Sequence, residues 1–132
     1  MKIKNKQAID IINTFESMGD KILPRKLSYA IIKNADAMRT QIYAPYEKEL
    51  EKIRRQHFDR EEDGNIRRDK NGNPIIKNPI AFNNDIQELL NIENEFEPHR
   101  IPENLLDQCE KEEKYSMLTV RETQMVMKIL EE

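Results

Sequence analysis

From Pro24 to Glu62 the chain reads PRKLSYAIIKNADAMRTQIYAPYEKELEKIRRQHFDREE, and the periodicity of this run decides the fold. Leu27, Ile31, Ala35, Met38, Ile42, Tyr46, Leu50 and Ile53 recur three or four residues apart, which makes one apolar stripe along a helix. Glu47, Glu49 and Glu51 alternate with Lys48, Lys52, Arg54 and Arg55 on the flanks. Glu51 stands four residues before Arg55, the favourable order for a helical ion pair. Pro24 suits the first turn, and Asp63-Gly64 ends the run. Pro45 lies inside it and is expected to bend or divide the helix near Tyr43-Ala44, because proline lacks an N–H and its ring crowds the preceding turn. An unbroken helix over 24–62 would span on the order of 55 Å, whereas a compact chain of this size has a radius of gyration of only about 14 Å. The helix must therefore protrude, bend, or pair with something else.

The tract over 64–78 carries an Asn71-Gly72 turn between short polar arms and is expected to form a β-hairpin of type I′ leaning on the helices. Asn78 then caps a returning helix that has Pro79 at its first position and Ile80, Phe82, Ile86, Leu89 and Leu90 on one side. Toward the N-terminus, Ala8, Ile11, Ile12, Phe15 and Met18 repeat at helical spacing, with Asn5 as the expected cap and Gly19-Asp20 as the stop. Phe96 to Pro102 is extended around two prolines and offers a third strand to the hairpin at its edge. A short helix over 102–110 carries Leu105, Leu106 and Cys109, and Thr119 with Glu122 forms a capping box before the last helix. No internal repeat or low-complexity segment is expected. The expectation is a single mainly α (α+β) domain over 1–132: long kinked helix, small hairpin, returning helix and C-terminal helix. Ile12, Phe15, Leu27, Ile31, Phe82, Ile86, Leu89, Leu106, Val126 and Ile129 are its expected core.

Composition narrows the class. Hydrophobic residues make up 37% and charged residues 36% of the 132, so much of the chain must be solvated helix face over a thin core. With 22 basic and 25 acidic residues the net charge is −3, which argues against a general nucleic-acid binder. Cys109 is the only cysteine, which excludes an intramolecular disulfide and fits a reducing cytoplasm. The basic start, Met1 to Lys6, is followed by an apolar segment broken at Asp10 and Asn13, unlike a secretion signal. No run reaches the roughly 20 apolar residues of a membrane span.

No reaction is legible. Asp59 to Ile66 begins like a calcium loop, with oxygen donors at its first, third and fifth places and Gly64 at the sixth. Arg67 and Lys70 then occupy the ninth and twelfth places, where two cations would repel the ion. His57 and His99 have no ligand spacing around them, so no metal and no cofactor is expected. Cys109 sits among leucines and acids, which raise a thiol pKa and suit a buried side chain better than a nucleophile. Ser17, Ser28 and Ser116 stand in no nucleophile-elbow pattern, and three glycines cannot build a phosphate-cradling loop. The chain is expected not to be an enzyme. Surface that projects from the core and mixes arginine with aromatics suits a binding hot spot, which singles out Tyr46, Arg54, Arg55, Phe58, Arg67 and Arg68. The competing expectation is that the aromatics pack under the hairpin and the arginines pair with neighbouring acids.

The order of features carries a resemblance. A basic N-terminal helix precedes Leu27, Tyr29, Lys33 and Asn34 on the long helix. Asn71-Gly72-Asn73 follows, then Ala81-Phe82-Asn83-Asn84-Asp85-Ile86-Gln87-Glu88-Leu89-Leu90-Asn91, and Leu118-Thr119 before the last helix. Over most of its length the chain resembles a domain-of-unknown-function family of small proteins from tailed phages and prophages of low-GC Gram-positive bacteria. The resemblance implies expression in a bacterial host cytoplasm and supplies no catalytic residues. Together these features predict a non-enzymatic protein-binding module with a host or phage protein as partner, inhibiting a host defence or replication factor by occlusion. The alternative is a virion-assembly or structural accessory protein that forms homo-oligomers through the long helix.

Overall fold

A computed structural model describes residues 1–131. It is mainly helical with one two-stranded antiparallel sheet, the class expected from the periodicities. The elements in chain order are β1 (Lys2–Lys4), α1 (Asn5–Ser17), α2 (Arg25–Met38), α3 (Ala44–His57), α4 (Pro79–Leu90), β2 (Glu93–Glu95), α5 (Asn104–Lys111) and α6 (Val120–Met127). A single π-turn, Arg39–Tyr43, joins α2 to α3.

That π-turn is how the long helix passes Pro45. The Ala44 N–H reaches back to the Arg39 carbonyl, one residue further than in an α-helix. The wider turn makes room for the pyrrolidine ring one residue later and spares the bond that proline cannot donate. Helical backbone therefore runs from Arg25 to His57, about 50 Å at the usual rise. It ends five residues before the expected Glu62, because Phe58 turns to extended backbone with φ −76° and ψ 133°.

The apolar stripe persists along the whole helix, but its burial does not. Leu27, Ile31, Ala35, Met38 and Ile42 lie in the core, whereas Tyr46, Leu50 and Ile53 are half-buried and α3 contains no buried residue. The core is built by α1, α2, the π-turn, α5, α6 and the extended segment between β2 and α5, with Ile11, Leu27, Met38, Val126 and Ile129 fully enclosed. Of the ten residues expected there, Ile12, Phe15, Leu27, Ile31, Leu89, Val126 and Ile129 are buried. Phe82, Ile86 and Leu106 are only half-buried. Phe82 and Ile86 face α3, which offers a single half-covered helix face instead of a layer.

The sheet pairs Lys2, Ile3 and Lys4 with Glu95, Asn94 and Glu93. Phe96 continues this ladder through the Met1 backbone (2.9 Å), and Ile101 pairs in parallel with Leu130. Residues 96–101 thus form a strap between the two chain ends and do not join the hairpin tract. Two buried asparagines hold the crossings. Asn5 lies in the first turn of α1 and does not cap it. Its Nδ2 donates to the Leu89 carbonyl (2.8 Å), and its Oδ1 accepts from Asn94 (2.9 Å). Asn34 on α2 clasps the strap: its Oδ1 accepts the His99 N–H (2.8 Å) and its Nδ2 donates to the His99 carbonyl (2.9 Å).

The starts of α4 and α6 follow the expected chemistry. The Asn78 side chain accepts from the Ala81 N–H (3.1 Å), and Thr119 and Glu122 exchange both capping-box bonds (3.1 and 2.8 Å). Glu122 is buried and lies 3.2 Å from the Lys21 ammonium, which joins α6 to the α1–α2 connection. Burial alone would raise the Glu122 pKa, but the Thr119 N–H and Lys21 outweigh it and hold the carboxyl below the usual value. A folded pKa below the unfolded one contributes stability that is present above the ordinary glutamate pKa and lost as pH falls through the folded value. Glu122→Gln should therefore lower the melting temperature at pH 7. The difference from the parent should close at pH values below the ordinary glutamate pKa of about 4.3. A gap that stays constant down to pH 3 would mean that the charge contributes nothing.

Candidate functional site

Beyond Ile42 the chain leaves the core as a limb made of α3, the tract 58–78 and α4, which returns along α3. Leu89 near its base is the one buried residue of α3 and α4. At the far end of α3, Phe58 and Phe82 pack ring against ring at 6.0 Å, and the His57 ring meets the Phe82 edge at 5.6 Å. His57 Nε2 lies 2.6 Å from Asp85 Oδ2, so the last residue of α3 is tied to the middle of α4. The Lys77 N–H closes the same corner on the His57 carbonyl (2.9 Å).

The tract between the helices is more than a hairpin. The Asp59 N–H donates to the Ile75 carbonyl (2.8 Å), Ile75 N–H to Arg67 (2.9 Å), and Arg67 N–H to Asp59 (2.9 Å). Three short extended segments centred on these residues thus close a ring of backbone bonds. Two turns of the same construction link them. Arg60 and Arg68, Gly64 and Gly72, and Asn65 and Asn73 each stand eight residues apart, a tandem repeat that corrects the expectation of none. In the first turn the Arg60 guanidinium donates to the Gly64 carbonyl (3.0 Å) and Glu61 N–H to Asn65 (2.9 Å). In the second, Arg68 donates to Gly72 (2.9 Å) and Asp69 N–H to Asn73 (2.9 Å). Gly64 and Gly72 take φ values of +89° and +83°, while Asn71 keeps a negative φ. Each turn is therefore a type I turn closed by a left-handed glycine, not the expected type I′. The antiparallel fold-back at Asn71-Gly72 is present, with Arg68 bridged to Pro74.

The six residues singled out for partner contact divide. Phe58 is half-buried against Phe82. Arg67 lies 3.7 Å from Asp59, Arg55 3.6 Å and Arg54 3.9 Å from Glu51, and Arg68 holds its own turn. All four guanidinium residues are nevertheless exposed, and ion pairs of this kind contribute only about 0–1 kcal/mol. Tyr46 packs on Tyr43 at 5.9 Å between ring centres. It stands about 18 Å along the helix from Phe58 and does not join the tip. Burial, followed by the neighbouring Tyr43, raises the Tyr46 pKa against the opposing pull of Arg54, so its hydroxyl stays neutral. The His57–Asp85 contact was invisible in sequence, since the partners lie 28 residues apart. The eight-residue repeat was there to be found by aligning Gly64 with Gly72.

The aspartates of the calcium-like run serve the turns. Asp63 accepts from both the backbone and the side chain of Asn65 (3.0 Å each). Among the described residues, no group of three or more His, Cys, Asp or Glu converges on a point. Cys109 is buried, and burial together with Glu110 pushes its thiol pKa up. Among the described residues, no helix is long and apolar enough to cross a membrane. No family model, curated protein or solved structure matches the chain.

Proposed function

We propose that the protein is a non-enzymatic binding module, encoded by a phage or prophage, that grips a host protein with the α3–tip limb and acts by occlusion. The observation that carries this reading is the divided duty of the long helix. The apolar stripe of its first half is buried, and its second half projects a charged, half-covered surface ending in a bonded ring of turns. Packing of the core does not require that surface, yet its shape is held by backbone bonds. Pre-organised surface loses little conformational entropy on association, which favours its use as a contact. Arg54, Arg55, Arg67 and Arg68 supply exposed, adaptable donors on it, beside the aromatic corner of Phe58 and Phe82.

Changing Arg54, Arg55, Arg67 and Arg68 together to Ser should leave helicity intact and shift stability by no more than about 1–2 kcal/mol, because only exposed pairs are lost. The same change should abolish retention of the partner that wild-type protein withdraws from host lysate. Since Arg68 also fastens its turn, the triple change of Arg54, Arg55 and Arg67 serves as a control that spares the turn. Undiminished retention by both folded variants would move the contact off the limb. A light-scattering mass above that of one chain, lost on shortening the limb, would favour the assembly role instead.

A further inference from the structure

A second surface, remote in sequence from the tip, has the chemistry of a docking site. The first turns of α2 and the strap enclose a cleft of about 390 Å³, within the roughly 300–1,000 Å³ of ligand pockets. Its walls are the Tyr29 ring, the His99 ring set edge-on at 5.7 Å, Ile101 and Pro102. Arg25 and Lys26 line it, exposed, with no ion pair to any described residue, and no acid is among the described residues that line it. Their freedom contrasts with Arg39, held by Glu16 and Asp36, and with Arg121, held by Asp10. Lys33 adds a further ammonium 5.7 Å over the Tyr29 ring. Arg100 also borders the cleft but is engaged, donating to the Leu130 carbonyl (2.9 Å) and standing 4.0 Å from Glu97.

Two more observations define the occupant. The paired bonds from Asn34 to His99 fix the strap against α2, so the cleft is formed before anything enters it. The groove also opens onto an uncovered face of α2, where Tyr29 and Ile32 are 57% and 61% exposed. An extended chain can lie along that face, whereas a small molecule would leave it bare. The positive field is local, because exposed Glu97 and Glu103 flank the strap and the net charge is −3. A polyphosphate backbone would meet those acids; one or two carboxylates beside an apolar anchor would not.

We propose that the α2–strap cleft docks an acidic protein segment. One aromatic or branched apolar side chain would enter between Tyr29 and Pro102, with neighbouring carboxylates against Arg25 and Lys26. This goes beyond the limb contact proposed above and does not depend on it.

The test is selection of a displayed random-peptide library on the immobilised full chain. Peptides carrying Asp or Glu within four positions of an aromatic or aliphatic residue should be enriched. A synthetic peptide of that consensus should bind the double variant Arg25→Glu, Lys26→Glu at least about tenfold more weakly, as expected for reversed charges at a contact. Tyr29→Ala should weaken it as well, while the Arg54, Arg55 and Arg67 triple variant should bind like the parent. Both cleft variants alter exposed side chains, and unchanged melting curves verify their folding. No enrichment, enriched peptides without acids, or equal binding by the charge-reversed variant would overturn the proposal. Displacement of the peptide by inorganic phosphate, ATP or single-stranded DNA at concentrations below the peptide's own Kd would also overturn it, in favour of a phosphate ligand.

Discussion

Leu27→Ala should lower the unfolding free energy by about 2–5 kcal/mol, the cost of the lost side-chain transfer plus the cavity left behind. Leu27 is fully enclosed at the start of the long helix, where α1 and α2 pack together. A chain of this length has a total stability of about 5–15 kcal/mol, so this single change removes a large share of it. The melting temperature should fall on the order of 10 °C, and the urea midpoint should drop with an unchanged slope. Phe82→Ala is the informative contrast. Phe82 is half-buried and its ring packs on His57 and Phe58, so it should cost less than Leu27→Ala and mainly loosen that corner. Equal losses at the two positions would mean that the limb is part of the core, which would count against the proposed contact.

Asn34→Ala should cost about 2–4 kcal/mol, because it deletes three hydrogen bonds at a site only 1% exposed and orphans both backbone groups of His99. Asn34→Asp should be worse at pH 7. It keeps an acceptor for the His99 N–H but turns a buried carboxylate toward the carbonyls of Ala30 and His99. Amide exchange at His99 should accelerate in both variants well before global unfolding. A variant that melts like the parent, with His99 still protected, would show that Pro98 and Ile101 hold the strap without the asparagine.

The long helix was legible because its information is local. Residues three and four apart share a face whatever the rest of the chain does, so Leu27 through Ile53 announced one stripe. The Asn78 cap, the Thr119–Glu122 box and the Asn71-Gly72 fold-back were legible for the same reason, since each is completed within five residues. The candidate site was legible only in outline. Arg54, Arg55, Arg67 and Arg68 are exposed at the far end of the limb, whereas Tyr46 stands a good distance down the helix. The tandem turns were written in the sequence at a spacing of eight, but a search for larger repeats passes over so short a period.

Periodicity established that an apolar stripe exists; where it stops being buried depended on how much of the chain returns to cover it. Coverage ends at Ile42 because α1, itself backed by α6, packs against α2 and the π-turn, whereas α3 beyond the π-turn packs mainly with α4. Likewise the Lys2–Lys4 to Glu93–Glu95 pairing, and the contacts of Asn5 with Leu89 and Asn34 with His99, join residues 65 to 93 positions apart. Such contacts carry no periodic signature, since many polar partners are chemically equivalent and the choice among them rests on which loops the packed helices allow to close. Local spacing thus determined the elements and their caps. Packing decided along which half of the long helix the stripe became core and along which half it stayed half-covered.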